Sequence, residues 1–347
     1  MNQNTVFRYL QSLQYTPLPQ MVKPFYEGLG VILLFHNISP FDNDRYLTGG
    51  FYQRNITPEK LESIISYFKK CRYSFISLDE LHDNLLSAKP AGKFVVFTLD
   101  DGMYDNYLYA YPVFKKYKVP FTIYIPTKFI GTDETLWTVP LENFLLEKDT
   151  IKLSGCFGVG SMTLNSIEAK EAALKHIIGI VEKAGNTDEL TGLFRSNLWD
   201  RLPDTRRSYM NWDEVKELSR DPLCTIGSHT VNHMMLSRLS DEEAEYELSE
   251  SKKIIEEQIG KPVFHLGYPH GTAAAVGPRE FAIAGKCGYK TATTVRYANI
   301  HKEHGNYLHC LPRFNVKPAF SDSILRLIRT GAFQFLLKKG KRIITHQ

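Results

Sequence analysis

Two adjacent carboxylates, Asp100 and Asp101, stand at the end of the apolar run Phe94-Val95-Val96-Phe97-Thr98-Leu99, with Gly102 directly after them. Neighbouring side chains on a strand point to opposite faces, so consecutive aspartates reach one site only where the strand stops and the chain turns. Gly102 permits that turn without a Cβ penalty. Far downstream lies Ser228-His229-Thr230-Val231-Asn232-His233, which carries two imidazoles four residues apart. One carboxylate and two histidines make a three-ligand metal site with positions left open for water and substrate. The carboxylate left over is then a base, and the set is the equipment of a metal-assisted hydrolase. Each half also has an ordinary reading. Asp-Asp-Gly after a strand is a common turn or helix cap, and the His-Glu-x-x-His protease pattern is excluded because Thr230 follows His229.

A third segment, Val263-Phe264-His265-Leu266-Gly267-Tyr268-Pro269-His270-Gly271, is another strand running into a Pro/Gly turn. Thr98-Leu99-Asp100-Asp101-Gly102, Ser228-His229-Thr230-x2-His233 and Gly267-Tyr268-Pro269-x-Gly271 together resemble the polysaccharide deacetylases with the NodB homology domain, carbohydrate esterase family 4, in order and separation. Asn211-Trp212-Asp213-Glu214 ahead of the histidine motif and the helix from Ser240 to Gly260 after it are similar to the same family. The resemblance covers about residues 30–130 and 208–316. It implies an α/β fold, the distorted and incomplete (β/α)7 barrel of that family, and metal-dependent hydrolytic removal of an N-acyl group, N-acetyl first, from an amino sugar of a glycan or glycan precursor.

The resemblance also assigns roles. Asp101, His229 and His233 are the expected ligands of one divalent ion, Zn²⁺ by preference, in a donor set that also accepts Fe, Co or Ni. The ion would lower the pKa of bound water, and Asp100 would take the proton. The oxyanion is expected on the metal and on the backbone N–H of Tyr268. The late Leu-x-His motif that carries the acid in many relatives is missing, and Leu308-His309 has the wrong spacing for it. Leu33-Leu34-Phe35-His36-Asn37-Ile38 instead resembles the early Tyr-His motif of the subgroup that includes poly-N-acetylglucosamine de-N-acetylases, which makes His36 the expected acid, ahead of His270 and His265. Arg313, in a family-like Leu-Pro-Arg pattern, either orients Asp100 through a bidentate pair or makes a surface ion pair. Trp212 and Pro269 are the candidate substrate contacts, with core packing as the other reading of Trp212.

The rest of the chain bounds the reading. Its 347 residues, 43% of them apolar, fit one α/β enzyme domain with an insertion. A net charge of +4 without any Arg- or Gly-rich tract does not argue for nucleic acid. Phosphoryl transfer is disfavoured too, because no Gly-rich phosphate cradle is visible. A carbohydrate O-acetyl esterase and a non-catalytic carbohydrate-binding NodB-like protein remain the alternatives; the spare Asp100 argues against the second. Five scattered cysteines without C-x-x-C spacing read as reduced thiols. No signal peptide is visible ahead of the short run Val31 to Phe35, so the expected location is cytoplasmic.

Strands and helices alternate along the chain, and the functional motifs fall at strand C-termini, the usual catalytic face of such barrels. The expected division is an N-terminal extension at 1–29, a barrel at 30–320 with a mainly helical insertion at about 131–208, and an amphipathic helix with a basic tail at 321–347. Trp137 and Trp199 in the insertion either line a sugar platform or pack its core. The stretch Ser321–Leu337, followed by Lys338-Lys339-Gly340-Lys341-Arg342, either docks on the barrel or touches the inner face of an anionic membrane. The expected partners are thus an N-acetylated sugar, glycan or lipid-linked precursor, and peripherally a membrane.

Overall fold

The structure is a computed structural model that describes residues 15–40, 47, 55–132, 134, 136, 138–152, 160–184 and 208–342. Helix α1 (Leu18–Tyr26) leads into strand β1 (Gly30–Phe35). After α2 (Pro58–Lys70), the short β2 (Ser74–Phe75) and α3 (Leu78–Leu86) comes β3 (Phe94–Leu99). Every residue of β1 and β3 is buried, as expected of parallel strands covered on both faces. Helix α4 (Tyr111–Tyr117) precedes β4 (Phe121–Ile125). The sequence pattern predicts one regular helix over 107–117, but the run Asn106–Ala110 ahead of α4 is a π-helical turn. The reason lies in Pro112, which has no N–H to give to the carbonyl one turn back, so the backbone widens there.

Next come α5 (Thr138–Glu147), the antiparallel pair β5 (Thr150–Lys152) and β6 (Ser161–Thr163), and α6 (Ile167–Ala184). They enclose a small core of their own, built on Leu141, Leu145, Leu164, Leu174 and Ile177. Leu47, from the loop after β1, joins that core, and its amide donates to Glu142 at 3.2 Å. The sequence pattern predicts a strand over 151–157, described only to Lys152, and a helix over 189–198, which lies outside the described residues together with Trp137, Trp199 and Cys156.

The barrel resumes with α7 (Trp212–Arg220), β7 (Cys224–Ser228), α8 (Asp241–Ile259), β8 (His265–Gly267), α9 (Pro278–Lys286), β9 (Thr291–Thr293) and β10 (Phe314–Asn315). The strands run parallel in the order β10-β1-β3-β4-β7-β8-β9, with β2 on the side of β3. Only Ser228 and Leu266 pair between β7 and β8. The sheet curls round because Leu311 bridges to Thr293 while Phe314, three residues on, pairs with Leu33 of β1. This is the expected distorted barrel, closed by short contacts in place of full-length pairing.

The amphipathic stretch at the end forms two helices, α10 (Asp322–Arg329) and α11 (Ala332–Leu337), where one was expected. Gly331 divides them with φ +74°, and a Cβ there would fall 2.1 Å from the Tyr26 carbonyl oxygen. Ile324, Leu325, Leu327 and Ile328 bury the inner face of α10 in the main core. No described helix is long and apolar enough to cross a membrane.

Candidate metal and catalytic site

The end of β3 is shaped by two consecutive left-handed residues. The Asp100 amide donates to the Phe35 carbonyl at 2.9 Å, which extends the β1–β3 ladder by one rung. Asp101 (φ +76°) and Gly102 (φ +63°) then reverse the chain. A Cβ on Gly102 would lie 2.9 Å from Ile125 Cγ2, so glycine is required by space as well as by φ. The reversal brings both buried carboxylates to His229 Nε2, at 3.8 Å for Asp100 and 3.4 Å for Asp101.

The histidine motif is a second strained loop, at the end of β7. His229 donates its amide to the Ile125 carbonyl at 3.0 Å. Thr230 and His233 both hold positive φ, at +67° and +57°. Thr230 Oγ1 accepts the His233 amide at 3.0 Å. Glu247 of α8, buried, accepts the amides of Val231 and Asn232 at 2.9 Å each and the Asn232 side-chain amide at 2.6 Å. These bonds offset the strain and fix the spacing of the two imidazoles.

His229 Nδ1 faces the Gly267 carbonyl at 2.5 Å, so Nδ1 carries the proton and Nε2 presents its lone pair. That Nε2 lies 3.4 Å from Asp101 Oδ1, and His233 Nε2 lies 3.3 Å from the same oxygen. Asp101 Oδ1 is buried without a hydrogen-bond partner. Lone pairs converging on an orphaned buried carboxylate oxygen repel one another unless a cation lies between them, and the donor set suits a divalent ion. Asp101, His229 and His233 form the only such group among the described residues. Without an ion the same proximity acts on protons. Burial disfavours charge on His229, yet the Asp100 and Asp101 carboxylates outweigh it and raise its pKa. Burial likewise opposes ionisation of Asp101, but the two imidazoles and the charge of His36 hold it well below the usual carboxylate range.

Asp100 is gripped from the other side. Arg313 Nη1 and Nη2 donate to its two oxygens at 2.6 and 2.9 Å, in a bidentate pair. Arg313 is fully buried and also donates to Thr98 Oγ1 and the Thr294 carbonyl, each at 3.2 Å. The ion pair is therefore internal and not on the surface. Asp100 Oδ2 stands 3.8 Å from His229 Nε2. His36 follows β1 directly and is 5% exposed, and the Asn106 side chain holds its carbonyl at 2.7 Å. Asn106 also donates to Asp105, which in turn accepts from Asn37 at 3.0 Å, so a polar lock joins the His36 loop to the aspartate loop.

Tyr268 requires a correction. Its backbone N–H, expected in the oxyanion site, donates to the Thr293 carbonyl at 3.1 Å as part of the β8–β9 ladder. Its phenol is buried and donates to the His309 carbonyl at 3.1 Å. Tyr268 thus fills the core and presents no donor to the cavity. Pro269 is buried in the turn beneath Gly271. Trp212 is half-buried against the main core, next to Gly131. His270 has φ +60°, is exposed, and sits with its ring 5.2 Å from that of His233. His309 and His265 are engaged elsewhere, with the Tyr289 carbonyl at 2.8 Å and the Thr291 hydroxyl at 2.8 Å.

Comparison with known proteins adds to this geometry. The polysaccharide deacetylase family model matches residues 87–292. This chain belongs to the polysaccharide deacetylase family. It is accordingly a carbohydrate deacetylase with NodB homology, of a family that is generally metal-dependent. Bacillus subtilis YxkH is 21% identical over 293 residues, covering 84% of this chain and 73% of the relative. Among solved structures, the Streptococcus pyogenes deacetylase PplD in complex with acetate aligns over 85% of this chain and 95% of its own, at 20% identity and a TM-score of 0.56. IcaB from Ammonifex degensii aligns over 87% and 98%, at 18% identity and a TM-score of 0.56. At these identities the likeness speaks for the fold.

Sequence reasoning missed Glu247 and the Asn37–Asp105–Asn106 lock. Glu247 had a signal: it falls on the buried stripe Ala244, Glu247, Leu248, Ser251, Ile255 of an otherwise acidic helix. An acid on the apolar face of a helix needs a partner.

Proposed function

We propose that this deacetylase removes N-acetyl groups from an amino sugar of a glycan or glycan precursor, with a divalent ion held by Asp101, His229 and His233. The observation that carries the reading is the buried, unpartnered Asp101 Oδ1 flanked by two imidazole nitrogens at 3.3 and 3.4 Å. When bound, an ion there supplies Lewis acidity to an acyl carbonyl and to a water molecule. Everything else falls to the chain. Arg313 holds both Asp100 oxygens, with Oδ2 3.8 Å from His229 Nε2, and Asp100 serves as the acceptor of the water's proton. His36, buried directly after β1, delivers a proton to the departing sugar nitrogen, which is expelled poorly as an anion. Acetic acid and the neutral amine together account for the amide and one water, and the proton that Asp100 gains matches the one that His36 gives up.

The test is acetate release from N-acetylated amino sugars, free, polymeric and lipid-linked, before and after chelation and with Zn²⁺, Fe²⁺, Co²⁺ or Ni²⁺ restored singly. Loss on chelation and recovery with one of these ions is the expected result. Release that ignores the chelator would overturn the metal reading, and release confined to O-acetylated sugars would overturn the N-acyl one.

A further inference from the structure

Helix α1 has two faces of unusual balance. Pro19 and Val22 are buried against the barrel, while Met21 and Phe25, one helical turn apart, are 67% and 69% exposed. Tyr15, just ahead, is exposed as well, and the helix has no acidic residue. Single exposed apolar residues are ordinary. These are not isolated, because α11 packs on α1 through the Tyr26–Phe335 ring pair at 5.3 Å, and the Tyr26 hydroxyl donates to the Gly340 carbonyl. The end of α11 therefore brings exposed Leu337 and the run Lys338, Lys339, Lys341 and Arg342 beside the apolar face.

A cleft of about 660 Å³ lies where the two elements meet, with Phe25 on one wall and Lys23, His301 and Arg342 around it. The nearby acids are already paired: Glu27 faces Lys23 at 3.6 Å, and Glu303 faces Arg342 at 3.1 Å. Lys339 and Lys341 have no acidic partner among the described residues. Exposed apolar side chains beside Lys339 and Lys341 match an anionic bilayer surface, where rings enter the headgroup region and lysines meet phosphates. The patch stands where α1 feeds the N-terminal end of β1, while His36 follows the opposite end of that six-residue strand.

We propose that the α1–α11 face is a peripheral docking site for anionic lipid bilayers, with Met21 and Phe25 as the inserting residues and Lys338, Lys339 and Lys341 as the headgroup contacts. Docking there leaves the catalytic mouth, at the other end of the strands, open to substrate.

The experiment is co-sedimentation of the full-length chain with phosphatidylcholine vesicles and with vesicles containing phosphatidylglycerol. Binding should require the anionic lipid and weaken with salt. Lys339→Gln and Lys341→Gln should each reduce the partition coefficient roughly five-fold, and Phe25→Ser should reduce it comparably, with acetate release unchanged. Equal binding to both vesicle types, no binding, or binding indifferent to these substitutions would overturn the proposal. So would a dimer in lipid-free buffer that Phe25→Ser dissociates, because the face would then belong to a second copy of the chain.

Discussion

Two groups of histidines in this molecule look alike in the sequence and face opposite electrostatic surroundings. At the mouth, His229 and His233 surround a buried carboxylate oxygen at 3.4 and 3.3 Å. Beside α1 and the chain end, His301 and His304 stack with ring centres 6.1 Å apart, and Arg342 donates to His301 Nδ1 at 2.9 Å. His304 Nδ1 accepts the His301 amide at 2.9 Å, which closes a local turn. In the first group the neighbours are carboxylates, and the His229 pKa rises despite burial. In the second, burial first and the Arg342 cation next drive the His301 pKa down to about 4. A histidine pair becomes a candidate metal site when what it faces is an acceptor without a donor. It becomes structure when the donor is already there.

The largest expected effect tests that contrast directly. His233→Ala should reduce bound metal to background and abolish acetate release, since it removes one of three ligands. His304→Ala should leave metal stoichiometry intact at any cost to stability. Metal loss in the second variant would break the distinction. Asp100→Asn comes next. It should keep the metal and lower kcat by on the order of 10²–10⁴, because the base is lost and no ligand is. Near-normal turnover would move the base elsewhere.

A smaller effect sharpens the picture of how the mouth is held. Glu247→Gln keeps one acceptor and loses the charge that binds two backbone amides and a side-chain amide of the histidine loop. Metal affinity should fall about 10–100-fold, with kcat recovering at saturating metal. A kcat deficit that persists at saturation would assign Glu247 to the chemistry itself. His36→Ala should spare the metal and reduce N-acetyl cleavage more than cleavage of an activated aryl acetate, whose leaving group needs no proton. Equal losses on both substrates would remove His36 from the acid role and revive the ester alternative.

How much of this was legible in the sequence follows from where each interaction is encoded. The aspartate and histidine motifs are short turns at strand ends, so their residues lie together in the chain as well as in space. The curled parallel barrel was legible for the same reason, from all-apolar strands alternating with helices. Arg313 could be named but not placed, because its choice between surface and interior depends on how β10 meets β1 and β3. The Tyr268 amide was misread because its availability is set by the β8–β9 register, which leaves no mark on Gly267-Tyr268-Pro269. Glu247 hid among the acids of α8, and the break at Gly331 arises from the Tyr26 carbonyl, some three hundred residues away in the chain.

The smallest expected effect concerns pH and the second histidine group. The folded pKa of His301, about 4, lies below its ordinary value of 6.5. As pH falls below 6.5, the unfolded chain takes up a proton that the folded chain refuses, so stability is full above that value and declines down to about pH 4. A shift of this size corresponds to at most roughly 3 kcal/mol, and less where solvent and salt screen the partly exposed Arg342. Burial is the larger cause, so a modest salt dependence is expected. The measurement is thermal unfolding of the wild type and His301→Gln between pH 7 and 4. The wild type should lose several degrees more than the variant over that interval, and the gap should close above pH 7. If both fall in parallel, His301 takes up its proton without strain, and the two histidine groups are electrostatically less different than their neighbours imply.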